Sequence, residues 1–161
     1  MGDVTSCFQL GMDLDPGSIT AQGEARDAAE RTSKPGARKD FFVERHGLRF
    51  AGTHLIVDLY EAERLDDLAH IEATLRDCVE AAGATLLHLH LHHFTPNGGI
   101  SGVAVLAESH ISIHSWPECG YAALDVFMCG DADPHRTIEV MRRAFRPERV
   151  AVAEHLRGGV S

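Results

Sequence analysis

The chain has 161 residues, 44% of them hydrophobic and 24% charged, with a formal net charge of −9. That length suffices for one domain with a hydrophobic core and is short for two. The acidic balance repels phosphate backbones and argues against a nucleic-acid partner.

Residues 1–40 scatter Gly, Ser and Asp around a Lys34–Gly36 breaker without a sustained apolar period, and read as a flexible N-terminal extension. The N-terminus lacks the positive and apolar regions of a secretory signal, and no apolar run approaches the roughly 20 residues that span a bilayer. A cytoplasmic protein without a membrane partner is expected. Cys7, Cys78, Cys119 and Cys129 form no CxxC pair or regular framework, which fits reduced thiols.

The domain proper is expected over 41–161. Thr53–Tyr60 is rich in branched and aromatic residues, as a buried strand is. Leu65, Leu68, Ile71, Leu75, Val79 and Ala82 recur at three- and four-residue steps, which predicts an amphipathic helix ending at Gly83. Leu87–Phe94 alternates Leu and His, the period of a strand with one buried face, and Thr95–Gly99 is a turn. Further strands are predicted over 101–107, 111–115 and 121–129. Asp133–Pro134 opens a second helix with its apolar stripe at Ile138, Met141 and Phe145, and 150–153 is a last short strand. Strands outnumber helices and tight turns join several of them. The expected fold is α+β, a two-layer sandwich with a largely antiparallel sheet and helices packed on one face.

Chemistry is densest in Ala107–Asp131, AESHISIHSWPECGYAALDVFMCGD, which gathers Glu108, Ser109, His110, His114, Glu118, Cys119 and Cys129. A serine, a histidine and a cysteine close together suggest nucleophilic and acid–base work. No GxSxG elbow surrounds Ser109, so an ordinary serine hydrolase is disfavoured. Strand alternation places Ser109 and His114 on opposite faces, so a joint role needs a bend or a chain break. His88, His90 and His92 share a strand face that reads as solvated rather than as a metal site, and Cys78 reads as helix packing.

The order and spacing of this stretch closely resemble the self-processing site of the prokaryotic S-adenosylmethionine decarboxylases, with the pattern ESH-x-[ST]-IH-[ST]-WPE-x-GYAA-x-D-x-F-x-CG. The resemblance extends to Gly52–Tyr60, Glu80–Thr85 and His92–Val103 upstream, and downstream to about Gly158. It implies that Ser109 attacks the Glu108 carbonyl to form an ester. Elimination and hydrolysis then leave a β chain of residues 1–108 and an α chain of 109–161 capped by a pyruvoyl group made from Ser109. It further implies that His114 carries the proton in processing and that Ser101 supports the intermediate. Cys129 is then the general acid, Phe94 stacks on adenine, and Glu118 accepts from the ribose hydroxyls. The pyruvoyl carbonyl, through a Schiff base with the substrate amine, replaces pyridoxal phosphate, and no metal is required.

The implied activity is decarboxylation of S-adenosylmethionine to the aminopropyl donor of spermidine biosynthesis, by a homodimer of αβ units. Two alternatives stand beside it: a relative decarboxylating L-ornithine or L-arginine, and a non-catalytic regulatory homologue. Three departures from the family pattern bear on substrate choice. The Pro96–Ile100 turn is one residue longer than usual, Glu61–Arg64 replaces a Gly-Cys-Asp segment, and Cys119 stands where Tyr or another residue is common.

Overall fold

Branched and aromatic side chains alternate along Gly52–Tyr60, and this strand occupies an inner position in the sheet of the computed structural model, which describes residues 42–45 and 47–159. The proposed extension, 1–40, lies outside the described residues. The elements are β1 (Val43–Arg45), β2 (Leu48–Phe50), β3 (Gly52–Tyr60), α1 (Leu68–Ala82), β4 (Leu86–His93), β5 (Ile100–Leu106), β6 (Ser109–Trp116), β7 (Tyr121–Cys129), α2 (His135–Phe145) and β8 (Arg149–Arg157). Strands β1 and β2 form a hairpin of their own, and the other six form one sheet in the order β4-β5-β6-β7-β3-β8. Every neighbouring pair in that sheet is antiparallel, and the fold is the expected α+β sandwich.

Period-two burial sends Leu55, Val57 and Leu59 of β3, Ile111 and Ile113 of β6, and Leu124 and Val126 of β7 into one core. There they join Ile71 and Leu75 of α1 and Met141 and Phe145 of α2. Each such side chain contributes about 1.5–3 kcal/mol on leaving water. Helix α1 begins where the Asp67 carboxylate accepts the His70 N–H at 3.0 Å and ends at Gly83, whose φ of 72° is a left-handed cap. Before α2, Asp133 accepts the His135 N–H at 3.0 Å. The opposite sheet face carries the other alternation: Ser101, Ser112, His114, Tyr121 and Asp125, with Ile56 and Val105 exposed among them. No helix among the described residues is long and apolar enough to cross a membrane.

Three details depart from the expected elements. The last strand runs nine residues rather than four, because all of β3 offers it a pairing edge from Gly52↔Arg157 to Tyr60↔Arg149. The β1–β2 hairpin was not anticipated, its three-residue strands being too short to show a period. A register shift between Leu86 and His88 turns Leu87 outward to 64% exposure, where strict alternation had buried it.

Candidate functional site

The implied processing residues lie on the central hairpin β5–β6, whose Leu106↔Ser109 pairing leaves only Ala107 and Glu108 in the loop. Ser109 is the first residue of β6 and points to the helix side, 8% exposed, in register with the buried Ile111 and Ile113. The Cys129 N–H donates to its Oγ at 3.0 Å. Glu108, on the acyl side of the Glu108–Ser109 peptide, has φ +63°. That left-handed conformation costs a residue with a side chain about 1–2 kcal/mol. Cys129 ends β7 beside this turn, and its thiol is pushed up first by burial and then by the charge of Glu108. A thiol so placed holds its proton, as a general acid must.

A second group sits at the far end of β6. Ser101 and His114 are cross-strand partners on the open face, and Ser101 Oγ lies 2.8 Å from His114 Nδ1. Gly102 allows this part of β5 to lie tightly on β4, since a Cβ there would meet the His90 carbonyl oxygen at 2.4 Å. Phe94 follows β4 at the same end, 44% exposed, with its ring 4.5 Å from that of His92. Glu118 lies in the single 3₁₀ turn Pro117–Cys119 directly after β6 and is exposed. Ser115 locks this end: its hydroxyl donates to the Leu65 carbonyl and accepts the Ile100 N–H, each at 2.8 Å.

The seven implied residues therefore form two groups. Glu108, Ser109 and Cys129 lie at one end of β6, and Phe94, Ser101, His114 and Glu118 at the other. Ser109 and His114 are five residues apart, roughly 16 Å along a strand, and face opposite ways. One protomer does not bring the two groups together.

Sequence reasoning assigned no role to a polar chain between the two groups. His54 Nε2 lies 3.0 Å from Asp125 Oδ1, the Ser112 hydroxyl donates to Asp125 Oδ2 at 3.3 Å, and Arg157 Nη1 lies 3.2 Å from His54 Nδ1. A guanidinium only donates, so Nδ1 accepts and Nε2 carries the proton. The signal available was parity, since His54, Ser112 and Asp125 all lie on the polar alternation of their strands. Nearer His114, Trp116 stacks against Tyr121 at 5.3 Å, and the Tyr121 hydroxyl donates to Asp58 at 2.6 Å. His88, His90 and His92 are exposed. Burial pushes the Cys78 thiol up to about 12, an inert packing residue in α1. Cys78 and Cys129 are free thiols.

Comparison with known proteins gives one consistent result. A family model described as S-adenosylmethionine decarboxylase matches residues 53–158. An S-adenosylmethionine decarboxylase proenzyme of Thermomicrobium roseum is 46% identical over 112 residues, covering 69% of this chain and 97% of that protein. One of Methanococcus maripaludis is 50% identical over 110 residues, covering 66% of this chain and 89% of that protein. Among solved structures, the adenosylmethionine decarboxylase of Aquifex aeolicus superposes with a TM-score of 0.63 at 36% identity, covering 70% of this chain and 94% of that chain.

Proposed function

The chain belongs to the S-adenosylmethionine decarboxylase family, and we propose that it is a proenzyme that cuts itself between Glu108 and Ser109 and then decarboxylates S-adenosylmethionine. The observation that carries this reading is the Glu108–Ser109 turn. The scissile peptide lies in a two-residue loop, and the adjacent nucleophile, Ser109 Oγ, is oriented by the Cys129 N–H. These residues fit a pyruvoyl group, because its precursor serine heads a strand beside a protonated thiol and becomes a chain terminus when the loop opens. Once formed, the group supplies the electron sink that decarboxylation requires. Cys129 then delivers a proton to the substrate carbon, and Phe94 and Glu118 receive adenine and ribose.

His114 and Ser101 are the proposed proton carrier and its partner in processing, and both lie too far from Ser109 within one chain. We therefore include a homodimer of αβ units in this reading. A second copy turned over on the open sheet face, about a two-fold axis running across the strands, lays the Ser101–His114 end of one copy over the Ser109–Cys129 end of the other. The exposed Ile56 and Val105 and the Trp116–Tyr121 pair give that face apolar surface to bury. Residues 41–161 form the decarboxylase domain, in the cytoplasm, and the product feeds spermidine biosynthesis.

The test is the intact mass of the purified protein, followed by carbon dioxide release from S-adenosylmethionine, L-ornithine and L-arginine. Fragments 1–108 and 109–161 with release from S-adenosylmethionine are expected. An uncut, inactive chain would overturn the reading, and preferential release from ornithine or arginine would overturn the substrate.

A further inference from the structure

The backbone of Glu108 carries an inference that rests on the self-cleavage proposed above. Its φ of +63° lies in the left-handed region, where glycine or asparagine is the ordinary occupant of a turn. Glu108 is also exposed, so burial of its side chain does not offset the cost. Nor can the loop relax by sliding. Leu106 pairs with Ser109, the Ala107 N–H donates to the Thr85 carbonyl at 2.9 Å, and the Cys129 N–H holds Ser109 Oγ at 3.0 Å.

We infer that the left-handed Glu108 stores backbone strain in the uncut hairpin and releases it on acyl shift, so that the turn itself drives self-cleavage forward. In that shift Ser109 Oγ bonds to the Glu108 carbonyl carbon. The Glu108–Ser109 C–N bond breaks, and the hydroxyl proton ends on the freed Ser109 amine. The resulting ester inserts Cβ and Oγ of Ser109 between the Glu108 carbonyl and the Ser109 Cα. The loop lengthens, and φ at Glu108 is free to leave the left-handed region. An amide is more stable than an ester, so the shift is an uphill pre-equilibrium before elimination. Strain present only on the amide side raises the ester population, and the rate of scission follows it.

The experiment follows scission of the full chain, made by cell-free synthesis, by intact mass over time in Glu108→Ala, Glu108→Asn and Glu108→Gly. Alanine keeps the left-handed penalty, asparagine reduces it and glycine abolishes it. Scission is expected to slow in the order Ala, Asn, Gly, with Gly about tenfold slower than Ala. A merely structural role for residue 108 would not produce this order. In a Ser109→Ala background, which cannot cleave, Glu108→Gly is expected to raise Tm by about 2–4 °C, a direct reading of strain removed. Scission in Gly as fast as in Ala, or no rise in Tm, would overturn the inference while leaving self-cleavage intact. A wild-type chain that never cleaves would overturn the underlying reading and this inference with it.

Discussion

Ser109 and His114 share strand β6 yet face opposite sides of the sheet, Ser109 buried beneath the helices and His114 exposed on the open face. Their separation of roughly 16 Å along the strand exceeds what any rotamer of serine or histidine bridges. The proposed reading therefore takes the histidine acting on Ser109 from a second copy docked on the open sheet face.

Mixing variants tests this directly. Ser109→Ala cannot cleave itself, and His114→Ala lacks its proton carrier, so each alone is expected to remain uncut. Co-expressed, a Ser109→Ala protomer supplies its intact His114 to the Ser109 of a His114→Ala protomer. The expected result is cleavage of the His114→Ala chain alone, read by mass. No cleavage in the mixture, with dimers confirmed on a sizing column, would place the proton carrier within one chain.

The thiol of Cys129 gives a pH prediction. Burial and the Glu108 charge both raise its pKa in the folded protein. A general acid works in its protonated form, so turnover is present below that raised pKa and is lost as pH climbs through it. Glu108→Gln removes the side-chain charge, while the burial and the α-carboxylate that cleavage creates at residue 108 remain. The alkaline limb of kcat is then expected to move to lower pH, with the acid limb unchanged. A limb that stays in place would show that Glu108 does not tune Cys129.

Ser115 offers a stability prediction that is separate from chemistry. It is 7% exposed, and its hydroxyl satisfies both the Ile100 N–H and the Leu65 carbonyl. Ser115→Ala leaves two buried backbone groups without partners, each costing about 1–3 kcal/mol. The denaturant midpoint is expected to fall accordingly, with unchanged slope. A loss below about 0.5 kcal/mol, smaller than a single net hydrogen bond, would mean that water replaces the hydroxyl.

The sequence alone was enough to identify the six strands of the main sheet and both helices, and to single out the stretch in which the chemistry is proposed. Tyr121–Cys129 matches its predicted bounds residue for residue, because alternation over nine residues with one buried face is a purely local signal. Gly83 as a helix stop was equally legible, since only glycine takes φ 72° without cost. The Ser101–His114 pair was named from family resemblance, and the structure puts the two side chains 2.8 Å apart. Other features depended on register, which no local pattern encodes. Pairing with β3 set the length of β8, and a bulge at Leu86/His88 exposed Leu87. His54 meets Asp125, 71 positions away, only because β3 lies beside β7. Residue chemistry and periodicity are properties of a short window and can be read along the chain. Which strand lies beside which and the division of the candidate residues between two ends of β6 depend on pairing between strands, and the left-handed φ at Glu108 depends on the backbone path of its turn; the tertiary structure alone decided them.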